Sequence, residues 1–189
     1  MEAIIKRELI SDKRICRILA VGVFITLITL SAFVRIPLPF TPIPFTLQTF
    51  FVLLSGALLG RKLGVFTQCS YMFLGLTGQT VFTGLGSGAI YLLGPTGGYI
   101  IGFILASFLV GSLFVKETQN QFIIFLRFLS ADFVILFSGT LWLKISLSCS
   151  LSQAFSLGFL PFILTDVLKI FLAVIVYNKI HSRMKATLY

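Results

Sequence analysis

Charge is what this sequence has least of. Only 11% of its 189 residues are charged while 57% are hydrophobic, against roughly 25% and 45–50% in soluble domains. A water-soluble globular fold is thereby excluded, and lipid is the expected solvent. Acidic residues are scarcer than basic ones, 6 against 15. Histidine occurs once, as His181 in the basic tail, which excludes a histidine-centred active site or metal cluster. Cys16, Cys69 and Cys149 show no paired spacing of a metal site or disulfide framework and read as structural. No Gly-x-x-x-x-Gly-Lys-Ser/Thr loop is present, so the chain is not expected to hydrolyse ATP. A span takes about 20 residues, so six or seven helices fill the length and leave no room for a soluble catalytic domain.

What charge there is has a pattern. The formal balance of +9 is not carried by a polar face of basic and aromatic residues, as nucleic-acid binding needs. Most of it flanks apolar runs, where Lys and Arg set orientation and meet anionic headgroups. The basic start (Lys6, Arg7, Lys13, Arg14, Arg17) precedes an apolar stretch to Val34, longer than a signal-peptide core and expected to be retained as a span.

Apolar runs predict spans at roughly 15–34, 47–60, 63–76, 89–115, 122–143 and 160–179. The second and third are short and divided only by Arg61-Lys62, which suggests a helical hairpin. Between the first two lie Pro37, Pro39, Pro42 and Pro44, so residues 35–46 must form an extended loop. Gly84-Leu85-Gly86-Ser87-Gly88 is a second irregular connection. Lys and Arg favour the side of the termini, Arg61-Lys62 and Lys116, whereas the opposite side has only Arg35 and Lys144. Both termini are expected to be cytoplasmic, with the two irregular loops together on the outer face as a lid.

Ionisable residues inside spans are functional candidates by default, and four occur: Arg127, Asp132, Asp166 and Lys169. Asp166 and Lys169 are three apart and share a helix face; a structural ion pair is the alternative to a ligand site. Arg127 reads as snorkelling toward the cytoplasmic side. The fourth run is interrupted by Gly94-Pro95-Thr96-Gly97-Gly98-Tyr99. Such a break frees backbone groups that protein or a polar cavity must satisfy, unless the glycines serve close helix packing. Tyr91, Tyr99 and Gln79 are candidates for the cavity lining.

Several strings resemble a known family. Arg35-Ile36-Pro37-Leu38-Pro39, Thr41-Pro42-Ile43-Pro44-Phe45-Thr46-Leu47-Gln48 and Gly56-Ala57-Leu58-Leu59-Gly60 resemble the amino-terminal signature of the BioY family of biotin transporters. So do Leu74-Gly75-Leu76-Thr77-Gly78-Gln79-Thr80-Val81-Phe82, Leu93 to Tyr99 with Gly102-Phe103, and Leu160-Pro161-Phe162 followed by Asp166 and Lys169. Two departures stand out: Thr80 replaces a proline usual in the third-helix motif, and the nearest small pair on the first helix is Gly22 and Thr26.

The resemblance implies an all-α integral membrane protein, six transmembrane helices in a single bundle over 1–189, resident as a multi-pass protein of the cell (inner) membrane. It implies a substrate-binding S component that takes biotin from outside without chemistry. A separate energy-coupling-factor (ECF) module, one membrane coupling subunit and two ATPase subunits, would drive transport. Asp166 and Lys169 would hold the ligand, and Tyr99 and Gln79 are expected beside them. A carboxylate can accept from the ureido N–H groups of biotin and an ammonium can donate to an oxygen. No cofactor is expected, and the lipid bilayer and biotin are the other partners. Family members differ in how strictly they need the module, so a solitary carrier for biotin or another small carboxylate is the alternative. A lipid-directed enzyme lacks a nucleophile with a base, and a purely structural bundle has no use for a buried acid and base.

Overall fold

The computed structural model describes residues 12–116 and 118–188. Helix α1, Lys13–Phe33, starts on an Asp12 side chain that accepts from the Arg14 N–H. It ends where the four prolines remove backbone donors. The proline loop is not wholly irregular: its ends zip together, β1 (Arg35–Ile36) pairing antiparallel with β2 (Phe45–Thr46).

Helix α2, Gln48–Leu76, reverses at Gly60, whose φ of 75° and ψ of 173° suit a residue without a side chain. The two arms lie antiparallel, since Gln48 Nε2 donates to Tyr71 Oη (2.8 Å) and Gln68 Nε2 to Ser55 Oγ (2.8 Å). The hairpin expected around Arg61-Lys62 is thus present, with its turn set one residue earlier by Gly60.

The fourth apolar run, 89–115, is broken where Gly94-Pro95-Thr96 was expected to interrupt it, into a short α3, Gly88–Leu93, and α4, Gly97–Leu113. Pro95 has no N–H to continue a helical ladder, and the freed Gly94 carbonyl accepts from Trp142 Nε1 at 2.9 Å. Helix α5 spans Gln121–Ser146. The stretch after it, between the fifth and sixth expected spans, contains α6, Leu151–Gly158, whose start is fixed by a capping box between Ser150 and Gln153. Helix α7, Leu160–Leu188, carries the sixth apolar run on through the basic tail.

Helix α4 is sandwiched between α2 and α5, while α7 closes the bundle against α1, α2, α5 and α6. Among the described residues, four helical stretches are long and apolar enough to cross a membrane: Lys13–Phe33, Gln48–Leu76, Gln121–Ser146 and Leu151–Leu188, the last spanning α6 and α7. Gly97–Leu113 is a shorter apolar helix. The distribution of polarity along α7 is inverted relative to a protein in water. Leu164, Leu168, Phe171, Leu172 and Ile175 point outward while Asp166 and Lys169 are buried. An apolar exterior around a charged interior is what a bilayer solvent selects.

Candidate functional site

Three residues apart on α7, Asp166 and Lys169 face the bundle interior, 2% and 5% exposed, and their side chains meet with Nζ 2.7 Å from Oδ1. Lys169 Nζ also donates to Thr49 Oγ1 at 3.0 Å and lies 4.3 Å from the centre of the Phe45 ring. The ammonium is thus held by a carboxylate, a hydroxyl and an aromatic face, supplied by α7, the first turn of α2 and the proline loop.

Gln48 connects this cluster to the second irregular loop. Besides its bond to Tyr71, its Oε1 accepts from Thr83 Oγ1 at 2.9 Å, and Tyr71 Oη donates to the Val81 carbonyl at 3.0 Å. The side chain of Arg35 lies against Gly84. The proline loop and the glycine loop therefore meet, as the charge pattern suggested they would. Between them and the helices is a cleft of about 60 Å³. Its polar end is formed by Thr49, Gln48, Tyr71, Thr83, Asp166 and Lys169. Ile100, Phe103, Leu136 and Phe162 supply apolar wall, the usual mixture for a small-molecule pocket. A water needs roughly 10–15 Å³ of such space, so the cleft as it stands admits a few waters and must widen to admit a bicyclic ligand.

Tyr99 and Tyr91, both singled out from the sequence, line the cleft. Tyr99 packs its ring on Gly139 and donates its hydroxyl to the Gly158 carbonyl at 2.6 Å, joining α4 to the α6–α7 junction. Gln79 does not join them: it is exposed in the turn after α2 and is not among the residues that line the cleft. Arg127 is also elsewhere, its Nη1 donating to the Lys116 carbonyl at 2.8 Å with the guanidinium over Phe114. Thr49, Tyr71 and Thr83 escaped the sequence reading because nothing marks an uncharged residue in a helix or loop as inward-facing. The one available signal was Gln48 inside the Thr46-Leu47-Gln48-Thr49 string.

Asp132 on α5 is buried at 3% exposure, and its Oδ1 has no hydrogen-bond partner among the described residues. It lies within electrostatic reach of both Asp166 and Lys169, while the Lys169 ammonium pairs with Asp166 at 2.7 Å. Asp132→Asn keeps the shape and removes one like charge. Thermal unfolding in detergent is expected to show a melting temperature equal to or above that of the native chain, and a fall of more than about 5 °C would show that Asp132 holds the cluster together.

A buried, hydrogen-bonded acid and base, placed in a cleft roofed by two loops and surrounded by lipid-facing helices, defines a multi-pass membrane protein with a small-molecule pocket. The BioY family model matches residues 6–186, and the chain belongs to the BioY family. The "Biotin transporter BioY" of Thermotoga maritima is 37% identical over 160 residues, covering 85% of this chain and 92% of that one. The "Probable biotin transporter BioY" of Pyrococcus horikoshii is 39% identical over 162 residues, covering 86% and 94%. Among solved structures, the crystal structure of "the S-component for biotin from an ECF-type ABC transporter" superposes with a TM-score of 0.85 at 27% identity, covering 95% of this chain and 98% of that chain. The chain has the S-component fold, and like its transporter relatives it is not an enzyme.

Proposed function

We propose that this chain captures biotin at the Asp166–Lys169 cleft and is the substrate-binding subunit of an ECF transporter. The single observation that carries this reading is the buried ion pair lining a mixed polar and apolar cleft in a BioY-family chain. Ureido N–H donors would be accepted by Asp166, an oxygen of biotin would accept from Lys169, and the ring and chain would lie against Ile100, Phe103, Leu136 and Phe162. Tyr99 would wall the pocket through its aromatic face.

The same reading takes the two arms of α2 as separate spans, giving six with α1, α4, α5 and α7, and sets both termini in the cytoplasm. Supporting this, Arg61, Lys62, His181 and Lys185 all surround one cavity, some 15 residues along α7 from Asp166, or about 22 Å at 1.5 Å each. Basic residues gathered at the end away from the cleft fit a cytoplasmic location there, so the cleft would open outward in the cell (inner) membrane. Delivery across the membrane would require a coupling membrane subunit and two ATPases, because this sequence has no phosphate loop.

Two results test it. Proteoliposomes containing the chain with the ATPase module are expected to accumulate biotin when supplied with ATP, and those with the chain alone are not; equal uptake by both would establish a solitary carrier. Gln48→Ala, which removes the link between Tyr71 and Thr83, is expected to weaken biotin binding about tenfold in equilibrium titrations. Unchanged affinity would place the ligand away from the two loops.

A further inference from the structure

A cavity larger than the cleft, with a volume of about 730 Å³, lies at the other end of the bundle, between the Gly60 turn of α2, the end of α4 and the last turns of α7. Its basic lining is Arg17, Arg61, Lys62 and Lys185, with the His181 ring beside them and no acidic residue among the described groups that line it. Its remaining lining is mainly apolar, including Leu58, Leu63, Phe114 and Val115.

The positions of these groups are fixed by packing. The backbone of Arg61 lies so close to Gly111 that a Cβ there would come within 2.5 Å of the Arg61 nitrogen. Arg17 Nε donates to the Leu188 carbonyl at 2.9 Å, which binds the start of α1 to the end of α7. The His181 ring stacks on Tyr177 with centroids 4.8 Å apart. The guanidinium of Arg61 is 5.5 Å from the centre of the Phe108 ring, and Phe108 is 51% exposed on the apolar exterior. The cationic lining thus continues directly onto the surface that faces hydrocarbon.

We propose that this cavity binds the phosphate-bearing headgroup of an anionic phospholipid. Phosphate oxygens meet Arg61 and Lys62, and the glycerol region and first acyl carbons cover Leu58, Leu63 and Val115. Basic pockets between helices at a membrane interface are suited to such headgroups, and Arg and Lys are the side chains that bind phosphate. A free anion would have no use for the apolar part of the lining or for its continuity with Phe108. The site is independent of what the Asp166–Lys169 cleft binds.

The full chain, delipidated in detergent, is examined by native mass spectrometry with phosphatidylglycerol, phosphatidylcholine or inorganic phosphate added. Phosphatidylglycerol is expected to stay bound at concentrations where phosphatidylcholine does not, and Arg61→Gln with Lys62→Gln is expected to weaken its retention about tenfold or more. Biotin titration of the same samples serves as a separate readout and is expected to be the same in both proteins; failure of biotin to bind either one would count against the cleft assignment alone. Equal retention of the two lipids, or retention unaffected by the double substitution, would overturn the lipid site. Displacement of the lipid by millimolar inorganic phosphate would reduce it to a small-anion site.

Discussion

Lys169→Ala is expected to lower biotin affinity at least a hundredfold. Removing one partner of a buried, hydrogen-bonded charge pair costs about 2–5 kcal/mol, and here the loss leaves the buried Asp166 carboxylate without the cation it pairs with. Asp166→Asn is expected to lose binding to a similar degree while damaging the fold less, since Lys169 keeps the Thr49 hydroxyl, the Phe45 ring and the nearby Asp132. Isothermal titration of each variant, paired with thermal unfolding, checks this order. The double variant Asp166→Asn with Lys169→Met separates folding from binding. Removing both charges together is expected to recover stability relative to Lys169→Ala, yet not to restore biotin. Recovery of binding in the double variant would make the pair a structural ion pair and move the ligand site elsewhere.

Gly98→Ala is the second large effect, and its sign runs against the usual rule. Inside a helix, alanine is normally favoured over glycine by roughly 0.5–1 kcal/mol. At position 98 a Cβ would fall 2.1 Å from the Cβ of Trp142 and 2.8 Å from the Ser138 carbonyl. No side-chain rotation relieves a clash with a neighbour's Cβ and backbone, so α4 and α5 must separate. That separation strains the Trp142 bond to Gly94 and shifts Tyr99. A loss on the order of 3 kcal/mol is expected, visible as a lower melting temperature and a smaller monomer peak in size-exclusion chromatography. Gly22→Ala provides the contrast. Nothing lies within 4 Å of a Cβ built there, and the variant is expected to be as stable as the native chain or slightly more so. Equal behaviour of the two variants would mean that α4 and α5 do not pack through Gly98.

The sequence made the apolar runs, the proline loop and the inward-facing Asp166–Lys169 pair readable for one reason: lipid punishes charge and broken backbone far more than water does. Asp166 and Lys169 could be placed on one face by spacing alone, and Gly94-Pro95 marked a break by lacking a donor. Tyr99 and Tyr91 were found because they adjoin that break. Other features follow from contacts distant in sequence. The bonds of Gln48 to Tyr71 and Thr83 depend on the hairpin reversal at Gly60, which brings Tyr71 back beside the start of α2. Helix α6 was passed over because its eight residues are too few to register as a span, although the Ser150 and Gln153 cap was there to be read. The basic tail reads in the sequence as charge flanking the last span, and only packing against α1 and α2 makes it one side of a cavity.

Equilibrium binding of biotin to the detergent-purified native chain, with desthiobiotin and an unrelated vitamin as comparisons, tests the central assignment most directly. Saturable binding of biotin at one site per chain, with no binding of the unrelated vitamin, is the expected result. A folded, monodisperse preparation that binds no biotin would contradict it.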